Sequence, residues 1–426
     1  GDAFGSHLEG QLEKEVEYIN HFLKGEKYSV SLNTTDDTEM TIMLAESLII
    51  NQKFNPEDIA NRFIRQSITQ MGNTIKEFVT NYRDRKIEWY RSGAESAGNG
   101  GAMRCAPIAL INYGDFNSLK LMAGIQASIT HRDQMAIASS ILQATAIAYL
   151  TNLPPYSLRD KKDLLKFIGI CGKSIKGIET KVYRTRQNNQ IVNLYTRINK
   201  ELMEAIEKDL DAKEIREKWG SGSYVLESLP YAIFVFLKSP NDYEKILKQC
   251  LMANDSDTVA NLALSLVGAY LGYHNIPKGY INKLKNLEEM ITLANRLFEL
   301  SLKNKVNNPY RRMKTTITEA KFKDEIDQLL WQGKKFNKQE DYQRAVEYFE
   351  KLISNHPEAK KNEKIMLHLI EAYEGLGTKL LAEESYDDAL RFFNKALAYD
   401  LNNPAVLCNM AITYLNLDNL EKAERY

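Results

Sequence analysis

Two short acidic stretches carry most of the chemistry this chain can offer. Thr35-Asp36-Asp37-Thr38 and Asp255-Ser256-Asp257-Thr258 each set two carboxylates and hydroxyls just ahead of an apolar run. At such a place Thr, Asp and Asn are first of all helix N-caps, because their oxygens accept hydrogen bonds from the free N–H groups of the first turn. Two carboxylates plus a threonine exceed what one cap uses, however, and each stretch leads into a helix apolar enough to be buried. Carboxylates gathered in a core repel one another and take up protons unless a cation neutralises them. An all-oxygen donor set selects Mg²⁺, Mn²⁺ or Ca²⁺ over zinc. Asp255 and Asp257 diverge on a regular helix, so they converge only in a loop or a first turn.

Three further stretches could serve such a site. Gly98-Asn99-Gly100-Gly101 runs into Ala102-Met103-Arg104 and an apolar segment to Ile111. Glycines allow N–H groups to turn inward, and a helix beginning there favours an anion. With neither a Walker lysine-serine pair nor a preceding strand, P-loop and Rossmann readings fail. The stretch reads either as a plain loop or, beside a metal site, as a diphosphate cradle. Thr130-His131-Arg132-Asp133 is a third polar cluster ahead of a helix, where His131 alone reads as a cap or a satisfied histidine. The 6 histidines are scattered and form no zinc-ligand spacing. Gly1 to Glu9 adds Asp2 and Glu9 among glycines and says little by itself.

The elements that must hold these residues are nearly all helical, with apolar positions recurring at three and four. Met40, Met43, Leu44 and Leu48 make one stripe and Ile137 to Leu150 another. Val259 to Tyr273 is apolar all round, which predicts a central buried helix, and Gly268 and Gly272 would let a neighbour approach closely. Residues 157–220 are more polar and read as a solvated insertion, its Lys173, Lys176, Lys181, Arg184 and Arg186 lying near an Asn-rich segment. Beyond a linker at 305–324 the pattern becomes a repeat. Gly333, Phe336, Ala345, Tyr348, Phe349 and Pro357 follow the small/large spacing of a 34-residue helix-turn-helix unit. Gly377, Ala389, Phe393 and Ala396 do so again, then Ala411, Tyr414 and Ala423. One unit carries an insertion around Ala359 to Leu369, and Leu401 stands where the period would place proline. This resembles tetratricopeptide repeats. The chain opens at Gly1 without methionine and stops at Tyr426 inside the last repeat, so both ends read as truncated.

Composition narrows the function classes. With 426 residues the chain exceeds one ordinary core, and 44% hydrophobic content is that of a globular protein. Lys+Arg and Asp+Glu are both 56, so nothing points to wholesale nucleic-acid or membrane attraction. The longest apolar stretch, interrupted by Asn261 and Ser265, falls short of the ~20 residues of a membrane span. Four dispersed cysteines exclude a disulfide framework and fit a reducing cytoplasm.

Taken together, GDAFGSHLE, TDDTEM, SAGNGGAMR, THRD, NDSDTVA and GAYLGYHNIP come in an order that resembles the ADP-ribosylglycohydrolases, on the branch of the dinitrogenase-reductase-activating glycohydrolase. The resemblance covers roughly residues 1–300, and the set is specific although each member is weak. It departs at Ala253-Asn254, where many members have two glycines before the second acidic stretch.

The resemblance implies an all-α fold: an orthogonal helical bundle at 1–304, here followed by a short α-solenoid of repeats at 325–426. It implies two Mg²⁺ or Mn²⁺ ions, with Thr35, Asp36, Asp37, Asp255, Asp257 and Thr258 as ligands. Gly98, Asn99, Gly100, Gly101, Ala102, Met103 and Arg104 would cradle the diphosphate, and His131 would sit beside the ADP-ribose. Glu9, Asp36 and Asp255 are the catalytic candidates, with Asp255 or Glu9 as the proton-transfer group. The implied activity is hydrolysis of the bond between ADP-ribose and a protein side chain or small acceptor, with the repeats recruiting a protein partner. The alternatives are an ADP-ribose-binding scaffold acting through its repeats, and phosphoester hydrolysis by two metals, which has no motif of its own.

Overall fold

The computed structural model describes residues 1–9, 19, 33–187, 189–282, 284–307, 325–417, 419–423 and 425–426. They fall into two compact units, Gly1–Asn308 and Pro309–Tyr426. Among the described residues the only paired strands are the hairpin Tyr183–Arg184 and Ile191–Val192, antiparallel with Tyr183 opposite Val192. The all-α expectation holds for both units. No helix among the described residues is long and apolar enough to cross a membrane.

The first unit is built around the helix Ser256–Leu271, whose Val259, Ala260, Leu262, Ala263, Leu266 and Val267 are buried. It packs against Asp2–Gly5, Gln134–Thr151, Val225–Lys238 and Tyr243–Leu251, as an all-round apolar helix must. Its half-buried positions Asn261, Ser265 and Gly268 lie on one stripe, one helical turn apart. Among the described residues nothing lies within 4 Å of a Cβ placed on Gly268, so none of them packs closely there. Gly272 is instead the C-cap, with φ 79°, where glycine is favoured and its N–H bonds Gly268 O.

The helix Gln134–Thr151 is buried on nearly every side rather than along a stripe. Its buried Gln143 reaches out of the helix: Nε2 donates to Leu262 O and Ser265 Oγ, each at 2.9 Å, tying it to the central helix. The acidic stretch at Thr35 opens the helix Asp36–Asn51, which buries Met40, Met43, Leu44 and Leu48. Residues 157–220 are not a solvated insertion. Phe167, Ile168, Ile198, Leu202, Ile215 and Trp219 face the core from helices whose outer sides carry the charges.

In the second unit helices pair as Glu325–Lys338 with Tyr342–Asn355, Glu363–Ala382 with Tyr386–Leu397, and Pro404–Asn416 with Leu420–Ala423. The extra residues of the longer repeat form a 3₁₀ turn at Pro357–Lys361 and lengthen the helix that follows. The helix Leu287–Asn307 covers the first residues of the expected linker, and 308–324 lie outside the described residues.

The repeat spacing has a direct physical cause. A Cβ on Gly333 would come 2.7 Å from Phe349 Cε1, and one on Gly377 would come 2.5 Å from Phe393 Cε1. Phe349 and Phe393 are both fully buried. Gly→Ala in an exposed helix interior stabilises by up to ~1 kcal/mol. At Gly377 the sign reverses: Gly377→Ala should destabilise the repeats by about 1–3 kcal/mol through overpacking. Hydrogen exchange confined to residues 363–397 checks this, and increased protection there would contradict it.

Candidate active site

The first acidic stretch is capped from elsewhere in the chain. Thr35 occupies the N-cap position but makes no side-chain capping bond. Asp2 does the capping instead: its carboxylate accepts from Thr35 N at 3.0 Å, Thr38 N at 3.1 Å and the hydroxyls of both threonines. At the second stretch Asp255 is the N-cap of Ser256–Leu271 without a side-chain capping bond, and Asp257 Oδ1 accepts from Thr258 N at 2.8 Å. Both helices therefore start without using Asp36, Asp37 or Asp255 as caps.

Those carboxylates meet instead. Thr258 Oγ1 donates to Asp37 Oδ2 at 3.0 Å, and Thr35 Oγ1 lies 3.4 Å from Asp257 Oδ2. The second helix begins at Ser256, so Asp255 lies outside the helical geometry at its N-cap and converges with Asp257, as the spacing required. Glu9, Asp255 and Asp257 bring one oxygen each within 4.8 Å of one another. Ser256 Oγ donates to Gly5 O at 2.8 Å, and a Cβ on Gly5 would meet Asp257 Cα at 2.3 Å, so the amino-terminal segment lies directly on this turn.

Two asparagines join the glycine loop to the acids. Asn99 Nδ2 donates to Asp255 Oδ2 at 2.8 Å. Asn261 Nδ2 donates to Asp37 Oδ1 at 2.7 Å and to Met103 O at 2.9 Å. The loop itself is held by backbone pairing on both sides, Ala94 with His131 and Gly98 with Tyr224.

Electrostatics follow from crowding. Burial first, then the charge of Asp257, raises Asp36 to about 7. Burial and then the neighbouring Asp255 raise Asp257 to about 8. Asp37 and Asp255 are also raised, chiefly by burial. Oxygen donors held close together with raised proton affinity fit a hard divalent cation, which would replace those protons.

The loop's glycines serve close approach rather than left-handed backbone. None of Gly98, Gly100 and Gly101 has positive φ. A Cβ on Gly100 would strike His131 Cε1 at 2.5 Å, and one on Gly101 would strike Ala127 Cβ at 2.7 Å. His131 is 3% exposed and lies against the loop, and burial lowers it to about 3, so it is neutral. Thr130 Oγ1 lies 2.7 Å from its Nδ1 and accepts from Arg104 at 2.8 Å.

Arg104 is wholly buried, donating also to Gln126 Oε1 and O and lying over the Phe63 ring. Its place is the core behind the loop, which corrects the expectation that it contacts a diphosphate. Ala102 and Met103 are likewise buried. Asp133 caps Gln134–Thr151 and accepts from Tyr183 OH at 2.8 Å.

Asp2, Asn261 and Ser221, whose carbonyl accepts from Asp255 N at 3.0 Å, are site residues that the sequence alone does not single out. Asn261 had a usable signal, since it lies three residues after Thr258 on the same helix face, and both reach Asp37. Asp2 and Ser221 act through contacts distant in sequence, for which no spacing exists.

An all-helical domain that interlocks two acidic helix starts beneath a glycine loop defines the class. Residues 1–307 match the family model for ADP-ribosylglycohydrolase, and this chain belongs to that family. The tetratricopeptide repeat model matches residues 380–426. An uncharacterised protein of Archaeoglobus fulgidus is 26% identical over 312 residues, covering 71% of this chain and 94% of that protein. ADP-ribosylhydrolase ARH3 of Mus musculus is 26% identical over 296 residues, covering 64% and 79%. ADP-ribosylarginine hydrolase Tri1 of Pseudomonas putida is 25% identical over 311 residues, covering 70% and 75%. A solved ADP-ribosylglycohydrolase-related protein complex superposes with TM-score 0.50 at 23% identity, covering 71% of this chain and 94% of that one, a likeness of fold.

The raised carboxyls give the metal-free protein a definite pH response. Unfolded, Asp36 and Asp257 release their protons near 3.8; folded, they hold them to about 7 and about 8. The folded chain binds more protons across that window, so stability falls as pH rises through it. In chelator, the melting temperature should drop between about pH 4 and pH 8, and added Mn²⁺ should flatten the profile. A chelated profile that rises with pH would be incompatible with these buried carboxyls.

Proposed function

We propose that the protein hydrolyses the glycosidic bond between ADP-ribose and a protein side chain or small acceptor, using two Mg²⁺ or Mn²⁺ ions. The observation that carries this reading is the interlock itself: four buried aspartates from two helices, with Asn99 and Asn261 tying the glycine loop to both pairs. The names of the relatives support the same substrate class.

In this reading Thr35, Asp36, Asp37, Asp255, Asp257 and Thr258 hold the ions. When bound, these would supply positive charge opposite the ribose hydroxyls and make a nearby water more acidic. Breaking the anomeric bond passes through an oxocarbenium-like state, so the protein must place a water, accept its proton and assist the leaving group. Glu9 is exposed and reaches Asp255 and Asp257, which suits it to the proton transfer; Asp255, oriented by Asn99, is the other candidate. Asp36 shares the crowded charge and completes the catalytic set. The backbone of Gly98, Asn99, Gly100 and Gly101 receives the diphosphate, with His131 backing the loop. The repeats recruit a protein partner, since stacked repeats present a concave groove.

The deciding experiment incubates the protein with ADP-ribosyl-arginine, ADP-ribosyl-serine and an ADP-ribosylated protein, in Mg²⁺ or in chelator. Metal-dependent release of ADP-ribose should vanish in Asp257→Ala and fall by about 10²–10⁴-fold in Glu9→Gln. Tight ADP-ribose binding without turnover on any linkage would favour a non-catalytic scaffold. Deleting residues 324–426 should leave turnover of the small substrates unchanged; its loss would overturn the assignment of the repeats to recruitment.

A further inference from the structure

A short turn stands behind both the second acidic stretch and the glycine loop. Ser221 O accepts from Asp255 N at 3.0 Å, and Ser221 Oγ accepts from Asn254 N at 3.0 Å. Two residues on, Ser223 O accepts from Asn99 N at 3.2 Å. One turn thus fixes the backbone of Asp255 and of Asn99, the two residues that bond each other through Asn99 Nδ2 and Asp255 Oδ2.

The turn in its turn rests on a carboxylate. Glu227, in the first turn of Val225–Lys238, is 5% exposed, and its Oε2 accepts from Gly222 N at 3.0 Å. Gly220 has φ 83°, and a Cβ there would lie 2.5 Å from Glu227 Oε2, so the backbone folds closely over this group. Among the described residues the other oxygen, Oε1, has no hydrogen-bond partner, and it faces Arg186 Nε at 3.9 Å. Burying a carboxylate is costly, and an apolar residue would fill this place at less expense, so its presence calls for a role.

We propose that Glu227 is a positioning residue which, through the 220–224 turn, sets Asp255 and Asn99 in register with each other. The proposal rests on the reading of Asp255 as a site carboxylate. Glu227 touches neither acidic stretch, and its action is carried by the backbone: Gly222 N–H to the carboxylate, then the Ser221 and Ser223 carbonyls to Asp255 and Asn99.

The test is amide hydrogen exchange on the full chain in chelator, comparing wild type, Glu227→Ala and Glu227→Gln. In Glu227→Ala the Asp255 and Asn99 amides should lose about 10-fold of their protection, the change in local opening expected when a hydrogen bond to a charged group is removed. The helix Val225–Lys238 should keep its own. Glu227→Gln retains an oxygen able to accept from Gly222 N–H and should restore protection at both amides. Unchanged protection at Asp255 and Asn99 in Glu227→Ala overturns the proposal. So does an equal loss along the whole helix, which marks Glu227 as a packing residue. A parallel Mn²⁺ titration separates the two ideas: wild-type protein that takes up no Mn²⁺ removes the metal reading, while the exchange result, which needs no metal, still decides the role of Glu227.

Discussion

The Asp2 carboxylate capping a helix that begins at Asp36 is the contact on which the site depends. A helix start has free N–H groups, and the nearest Asp or Thr normally takes them. If Asp36 or Thr35 did so here, its oxygens would face the helix backbone. With Asp2 in that position, the local residues are released toward the second helix. The arrangement separates capping from chemistry by assigning them to carboxylates far apart in sequence.

That separation places acidic groups where their repulsion must be balanced. Thr258, Asn261 and Asn99 each donate a hydrogen bond to a site carboxylate, so some of the charge is met by neutral donors. Neutral donors orient carboxylates without neutralising them. The remaining repulsion shows in the raised proton affinity of Asp36 and Asp257. A site of this kind is tight in geometry and unfavourable in charge, the combination that favours a cation over a proton.

Much of this was legible in residue type and spacing. The acidic stretches, the apolar helix after Asp257 and the 34-residue repeat are local patterns, and local patterns survive reading without a structure. What failed was of two kinds. The helices of 157–220 bury one narrow face, so their charged outer positions hid Phe167, Ile198 and Trp219. The glycines of the loop suggest conformational freedom, whereas the cause is His131 and Ala127 pressing against them. Both causes demand glycine, and residue type cannot tell them apart. Arg104 misled for a related reason, since an arginine after a glycine loop looks the same whether it meets an anion or three acceptors in the core.

Asn261 offers one amide nitrogen, and its hydrogens go to two acceptors, the Asp37 carboxylate and the Met103 carbonyl. Rotating the amide by half a turn would set its oxygen against both, so this side chain has one usable orientation. Asp37 and the end of the glycine loop are therefore bridged through this one side chain. Moving the end of the loop away from the first acidic helix therefore means breaking at least one of these two hydrogen bonds and leaving a carboxylate or a carbonyl without its donor.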